Sequence, residues 1–168
     1  EDILYLMPET SHMVMITGAS KDEEALADYT RAELEKEYPL ISFEYTNRMN
    51  LTALWDRLGQ LQPGSVVYFI LYDSDVDGVQ LNHYSGMPRI RASSSVPVFG
   101  PYDDQLGQGI LGGRLIQLTQ VGKEMAVTAQ DVLHARPSGV LRKVIDLSEP
   151  TYDWQQLKVW GVNRNRLP

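Results

Sequence analysis

The run SVVYFILY, residues Ser65–Tyr72, constrains the fold more than any other stretch of this sequence. Nearly all of its residues are apolar, without the regular polar alternation of a strand that has one face in water. Strands of this kind are buried on both faces and are typical of the centre of a parallel sheet. Parallel strands need crossover connections, which are usually helices packed on the sheet. The run therefore predicts an α/β protein built on a parallel sheet.

Four further runs have the apolar or alternating pattern of short strands. They are Met13–Gly18, Leu40–Tyr45, Val96–Gly100 and Val140–Leu147. Helical patterns lie between most of them, and the connections are short. This alternation predicts a Rossmann-like parallel sheet with helices on both faces.

Three helices between these strands have clear signals. Ser20, with Glu23 three residues later, is a capping box that starts the first helix. Asn50 precedes apolar residues at helical spacing and is expected to cap the second. The third carries one apolar stripe, formed by Leu118, Val121, Met125, Ala129 and Val132. The stretch 79–95 is weakly patterned and predicts no element.

Length and composition narrow the class of protein. The 168 residues suit one domain or part of a two-lobed protein. The formal net charge of −7 disfavours nucleic-acid binding. The absence of cysteine excludes thiol catalysis and thiolate metal sites. The first residue is Glu rather than Met, so we expect an excised or processed piece of a longer protein.

The chain ends with a short amphipathic segment, residues 151–168. Asp153 is expected to cap a helix that stops at Gly161, and Gln156 to complete the cap. An apolar ridge on this helix consists of Trp154, Leu157 and Trp160. A helix this short is not stable alone, so we expect it to dock on its own domain.

Three loops follow the predicted strands and are the candidate site. They are Thr17–Ser20, Tyr72–Gly78 and Gly100–Gly109. Ligands of parallel sheets bind beyond the carboxyl ends of the strands, where these loops would meet. Their Asp, Tyr, Ser and Gln residues suit hydrogen bonding to a small polar ligand. The first loop precedes a helix and could hold an anion, although Ser20 as a plain helix cap is the favoured interpretation.

The loop Asp73–Gly78 also matches the start of a calcium-binding loop, with aspartates at alternate positions. However, the twelfth position from Asp73 is Tyr84 where such a loop needs Glu. A phosphoryl-accepting aspartate is a weaker interpretation, because that site also needs acidic residues after the first strand and the stretch ITGAS contains none. A plain acidic turn remains the simplest interpretation, and no metal ion or other cofactor is expected.

Catalytic signals are sparse. His12, His83 and His134 are scattered, and no arrangement of serine, histidine and aspartate indicates a nucleophile. The neighbouring Asp103 and Asp104 are expected to form a turn first and to bind second. We therefore expect a non-catalytic domain with no catalytic residues.

The tail YDWQQLKVWGVNRNRLP resembles the ending of periplasmic sensor domains related to ABC-transporter substrate-binding proteins. Such domains precede histidine kinase, PAS or diguanylate cyclase modules. The stretches ITGAS, VVYFILYDSDVDG and VPVFGPYDDQLGQGILGGRLI resemble the same family in the same order, and the last is the most specific. The similarity runs from about Met13 to the end of the chain.

The resemblance implies a type I periplasmic-binding-protein-like fold, in which a ligand cleft lies between two Rossmann-like lobes. Residues 1–168 would be the second lobe with the return segment, and 151–168 a docked connector helix. The first lobe would be absent from this sequence. The glycines Gly109, Gly112 and Gly113 would allow close approach of the backbone. The implied ligand-binding residues are Ala19, Ser20, Tyr72, Asp73, Tyr102, Asp103 and Gln105.

The function implied is extracytoplasmic sensing for a bacterial two-component or cyclic-dinucleotide signalling protein. The partner would be an unidentified small molecule, and the membrane would be reached only through adjoining segments of an inner-membrane protein. A solute-binding protein of an ABC transporter is an alternative. A ligand-free interaction module that forms a homodimer is another.

Overall fold

The computed structural model describes residues 2–135 and 144–167. The helices of this part are α1 (Asp2–Leu6), α2 (Lys21–Glu37), α3 (Leu51–Gly59), α4 (His83–Ser93), α5 (Leu118–Ala135) and α6 (Trp154–Val159). Its strands are β1 (His12–Thr17), β2 (Ser42–Tyr45), β3 (Ser65–Leu71), β4 (Val98–Phe99), β5 (Gly112–Ile116) and β6 (Ser148–Tyr152).

Four of the described strands form a parallel sheet in the order β2-β1-β3-β4. Val67 of β3 pairs with Val14 of β1 on one side and with Val98 of β4 on the other. All three valines are fully buried. The most apolar run of the sequence is therefore an internal strand of a parallel sheet, as predicted.

Helices cover both faces of this sheet. Successive residues of β1 point to opposite faces, so their neighbours show which helices pack on each side. Val14 and Ile16 pack with α3 and α4, through Leu54 and Ile90 among others. Met13 and Met15 pack on the other side with residues of α1, α2 and α6. The predicted arrangement of helices on both faces is confirmed.

Helix α4 occupies the weakly patterned stretch, where the sequence predicted no element. Gly86 and Pro88 both lie inside this helix, so the local preference of the sequence for helix is low. Met87 and Ile90 are nevertheless buried, with 6% and 0% of their surfaces exposed. Burial of these side chains in the core stabilises a helix that local preference does not favour.

The prediction of a strand at Val140–Leu147 is wrong for the four residues that the structure describes. Residues 140–143 lie outside the described part, and Val144–Leu147 are not in a strand. Instead, β6 begins at Ser148 and pairs antiparallel with β5, so that Ile116 lies opposite Ser148. The partner strand decides this position, because β5 ends just before Gln117, whose N–H donates to the Leu147 carbonyl at 2.9 Å.

Gly112 permits the close pairing of β5 and β6. Its φ is +124°, a conformation that side chains with a Cβ rarely adopt. A Cβ at this position would also collide with the Thr151 carbonyl and the Tyr152 backbone. The close backbone approach expected at Gly112 is confirmed.

Asp153 caps α6 as predicted, since its Oδ1 accepts from the N–H groups of Gln155 and Gln156 at 2.7 and 3.1 Å. The side chain of Gln156 has a different role from the predicted one. Its Oε1 accepts from Nε of Arg91 at 3.0 Å and so links α6 to α4. The guanidinium of Arg91 also lies 4.7 Å from the ring centre of Trp160.

The apolar ridge of α6 divides between core and surface. Leu157 is 3% exposed and packs with residues of the sheet and of α2. Trp154 is 41% exposed, and the Lys158 ammonium lies 4.8 Å from its ring centre. Leu157 is therefore the main apolar anchor of this helix.

Helix α5 forms as predicted but contributes no buried residue to the core. Met125 is 68% exposed and Leu133 is 80% exposed. Ile145 and Leu147 line a shallow groove with this helix, so the described residues cover its apolar stripe only in part. None of the helices in the described parts has both the length and the apolarity that crossing a membrane requires.

Candidate functional site

The three candidate loops meet at one edge of the sheet. They follow β1, β3 and β4, which are parallel, so all three leave the carboxyl ends of neighbouring strands. The N–H of Ala19 in the first loop donates to the Ser74 carbonyl in the second at 2.7 Å. This is the edge at which parallel α/β sheets bind ligands.

The fully buried carboxylate of Glu23 holds the first two loops together. Its Oε1 accepts from the N–H groups of Gly18 at 3.2 Å and Asp73 at 2.6 Å. Its Oε2 accepts from the N–H of Ser20 at 3.0 Å, which completes the predicted capping box with Ser20 Oγ. Because hydrogen bonds to a carboxylate are among the stronger ones in proteins, this group fixes the backbone of Asp73.

Gly18 leaves room for this buried carboxylate. A Cβ on Gly18 would collide with the Glu23 carboxylate and would lie 2.6 Å from the Ser74 carbonyl oxygen. The capping-box pattern identified Glu23 as a helix-capping residue. Its contact with Asp73, 50 residues away, had no sequence signal.

Asp75 fixes the rest of the second loop. Its Oδ1 accepts from the N–H groups of Asp77 at 2.9 Å and Val79 at 2.8 Å, and its Oδ2 accepts from the N–H of Leu51 at 2.9 Å. Burial raises the pKa of the Asp75 carboxyl, but the three N–H donors outweigh this and hold that pKa below its ordinary value. Asp75 is 4% exposed, so the loop is anchored to the start of α3 rather than being a fully solvated acidic turn.

The calcium interpretation of this loop gains no support from the geometry. Both carboxylate oxygens of Asp75 face backbone N–H donors. Within the described residues, no group of three or more His, Cys, Asp or Glu side chains is arranged to hold a metal ion.

The third loop is held by Gln105 and Asp103. Gln105 is 6% exposed, and its Oε1 accepts from the N–H of Tyr102 at 3.3 Å. Oδ1 of Asp103 accepts from the N–H of Leu118 at 3.1 Å, at the start of α5. Residues Asp103–Gln105 form a single 3-10 turn, which agrees with the turn expected there.

A cavity of about 390 Å³ opens between the second and third loops and the start of α4. Four of the predicted ligand-binding residues line it, namely Tyr72, Asp73, Tyr102 and Gln105. Its other lining residues are Phe69, Ile70, Leu71, Leu81, Asn82, Gly86, Met87, Asp104, Gln108 and Leu118. The volume lies in the range of small-molecule sites in proteins.

The other three predicted residues lie near this cavity but are not among its described lining residues. Ser20 caps α2, and Ala19 contacts the second loop through its backbone. Asp103 faces the start of α5, while its neighbour Asp104 lines the cavity. Sequence reasoning gave Asp104 binding only as a second role and left it out of the implied ligand-binding residues. It missed Asn82 and Met87, which lie in the weakly patterned stretch where no element was predicted.

Tyr72 carries a buried hydroxyl with no hydrogen-bond partner among the described residues. The side chain is 8% exposed and packs against the α3 and α4 side of the core. Burial, with smaller effects from Asp75 and Glu23, raises the pKa of Tyr72 well above its ordinary value. Buried polar groups nearly always have a partner, so this hydroxyl is an unsatisfied donor and acceptor in the wall of the cavity.

A larger groove of about 650 Å³ lies on the other face of the sheet, between α1 and α2. Its floor is apolar and includes Met13, Met15, Phe43 and Tyr68. The predicted polar residues converge on the smaller cavity, which is therefore the candidate site.

No protein-family model matches this chain, and no curated protein sequence matches it. Solved structures do. A conserved domain protein from Vibrio cholerae aligns with a TM-score of 0.69 at 16% identity, over 99% of this chain and 54% of that one. The ABC domain from Streptococcus pneumonia in complex with L-Trp aligns with a TM-score of 0.67 at 14% identity, over 96% of this chain and 53% of that one.

These likenesses show the fold, a parallel α/β sheet with helices on both faces. The chain spans about half the length of the solved structures it matches. Fold alone does not define function, which has to be argued from the site.

Proposed function

We propose that this chain is a ligand-binding lobe of an extracytoplasmic sensor domain in a bacterial membrane-bound signalling protein. The observation that carries the proposal is the cavity at the carboxyl edge of the sheet, where Tyr72, Asp73, Tyr102 and Gln105 converge. Its loops are held in place by buried hydrogen bonds, as in a pre-formed site. The domain would bind a small molecule and would itself be non-catalytic.

The comparison with solved structures supports ligand binding in this fold. The Streptococcus pneumonia ABC domain is in complex with L-Trp, and its chain is nearly twice as long as this one. A second lobe of similar size, facing the cavity, would complete the site. Closure of the two lobes around the ligand would then shift the docked α6 and the segment beyond it, which would relay the signal to an output domain.

A solute-binding protein of an ABC transporter would use the same site and remains the alternative. The encoding gene distinguishes the two: a membrane-spanning segment and an output module after Pro168 support the sensor, and a stop codon after Pro168 supports the transporter protein.

The test of ligand binding is a thermal-shift screen of this chain and of the complete gene product with amino acids, amines, sugars and nucleobases. A ligand that binds the folded state raises the melting temperature. We expect a hit that Tyr102→Ala weakens while Tyr29→Ala, an exposed tyrosine outside this cavity, does not. Absence of any response in the complete gene product contradicts the proposal.

The partly covered stripe of α5 favours a second candidate function, a ligand-free module that forms a homodimer. Exposed apolar surface of this kind commonly marks an interface. Sedimentation of this chain tests it: a dimer that Met125→Lys dissociates supports the interaction module, whereas a monomer contradicts it.

A further inference from the structure

We propose that the cavity at the carboxyl edge of the sheet takes a ligand that carries an ammonium group beside an apolar body. This inference rests on the proposed ligand-binding function and adds the chemical class of the ligand. It follows from the charge, the aromatic rings and the apolar wall of the cavity.

The charge of the cavity wall is negative. Asp73 and Asp104 line the cavity, and the described lining side chains include no Lys, Arg or His. A carboxylate or phosphate group in this lobe would meet two like charges without a cationic side chain to offset them. The formal net charge of −7 for the whole chain also favours the approach of a cation.

The position of Asp73 is fixed by the fold. Its N–H donates to the buried Glu23 carboxylate at 2.6 Å, while its own side chain is exposed at the cavity. Glu23 thus holds the backbone of the residue that supplies a carboxylate to the ligand. A carboxylate on a fixed backbone pairs with an ammonium at a lower entropic cost than one on a mobile loop.

Two tyrosines add to cation recognition. Tyr72 and Tyr102 line the cavity, and aromatic rings attract ammonium groups over their faces. The hydroxyl oxygen of Tyr72 is buried without a partner among the described residues, so the half-buried Tyr102 is the more accessible of the two rings.

The remaining wall suits an apolar body. Leu81, Met87 and Phe69 lie on the α4 side of the cavity, and Leu118 lies at the start of α5. The volume of about 390 Å³ accommodates a ligand as large as an aromatic amine.

The experiment uses matched probes that differ mainly in charge: tryptamine against indole-propionate, and phenethylamine against phenylpropionate. Binding to the complete gene product, which would contain both lobes of the site, is measured by titration calorimetry, and the site is located by amide NMR shifts of Asp73 and Tyr102. We expect the amines to bind and the matched acids to bind at least tenfold more weakly, since roughly tenfold corresponds to one charge-assisted hydrogen bond.

Variants test the assigned residues. Asp73→Asn and Asp104→Asn, both exposed and so not expected to impair folding, should each weaken amine binding several-fold or more. Asp56→Asn removes the same charge from the exposed face of α3, away from the cavity, and should leave the affinity unchanged.

The outcomes separate this inference from the proposed function. Acids that bind at the site as tightly as their matched amines overturn the ammonium inference and leave ligand binding intact. The same holds if Asp73→Asn and Asp104→Asn do not change amine affinity. If none of the probes shifts the Asp73 and Tyr102 amides, the inference is overturned; if the full screen also fails, so is the proposed function.

Discussion

Glu23 shows how a single side chain can determine the position of a loop in the candidate site. Its role as a helix cap was predictable, because Ser20 and Glu23 have the spacing of a capping box. Its third hydrogen bond, from the N–H of Asp73, depends on β1 and β3 being neighbours in the sheet. The local sequence pattern therefore predicts the capping role of Glu23, whereas its contact with Asp73 depends on the tertiary fold.

We expect Glu23→Gln to lower the free energy of unfolding by about 2–3 kcal/mol. The amide nitrogen of Gln would bring a donor toward backbone N–H groups that now donate to a carboxylate. Urea denaturation measures the change. Glu24→Gln, an exposed neighbour in the same helical turn, is the control and should cost at most about 1 kcal/mol through the helix dipole. Equal effects for the two variants contradict this role for Glu23.

Glu44 gives the fold a defined dependence on pH. Arg57 binds its carboxylate through Nε at 2.8 Å and Nη2 at 2.7 Å, and His12 lies 3.1 Å away. The hydrogen bonds from Arg57 outweigh burial and hold the pKa of Glu44 below its ordinary 4.5. Because the folded-state pKa is lowered, this stabilisation is present above pH 4.5 and is lost as pH falls through the lowered value.

Accordingly, wild type should be more stable than Glu44→Gln by up to about 1 kcal/mol at neutral pH. The difference should shrink as pH falls below 4.5 and passes through the lowered pKa of Glu44. Parallel denaturation series of the two proteins measure it, and subtraction removes the contributions of other carboxyl groups. A difference that stays constant with pH would rule out this role for Glu44.

Among the elements, those with both a cap and an apolar pattern were predicted well. Helices α2 and α3 begin after their predicted caps, Ser20 and Asn50. Helix α4 was not predicted, because Pro88 and Gly86 lower the local preference for helix. Burial of Ile90 offsets this low preference, but only in the folded protein. Strand β6 was not predicted either, because its position depends on pairing with β5, which is far away in the sequence.

Leu157 tests how firmly α6 is attached. We expect Leu157→Ala to cost about 2–5 kcal/mol, because the side chain is 3% exposed and its loss leaves a cavity in the core. Val159→Ala on the exposed side of the same helix should change stability by no more than about 0.5 kcal/mol. Thermal or urea unfolding compares them. Similar small effects for both would mean that α6 is loosely held in solution.

For the molecule as a whole, the predicted parallel strands indicated where the candidate cavity lies, whereas the amino-acid composition did not. Parallel strands placed Tyr72, Asp73, Tyr102 and Gln105 at one edge, and the cavity lies there. The opposite wall of the cavity, including Met87, depends on α4 and was not predictable from local pattern.

Helix α5 provides a prediction about the size of the functional unit. The double variant Met125→Lys with Val132→Lys should leave the stability of this chain within about 0.5 kcal/mol, since both residues are exposed here. In the complete gene product the same variant should be clearly destabilising if a second lobe covers this stripe, because it would bury two charges. Unfolding curves of both proteins decide it. No effect in either would mean that the stripe stays uncovered.

The pairing of β5 and β6 also sets the way this fold can be extended. Ile116 and Ser148 lie opposite each other, and Gln117 donates to Leu147, so the chain leaves and re-enters the fold at one point. The segment between Gln117 and Leu147 therefore has its two ends joined by a backbone hydrogen bond. Replacing it with a two-residue turn should preserve the antiparallel register. The same junction is therefore a natural place to insert a fluorescent reporter, beside the ligand cavity through Leu118.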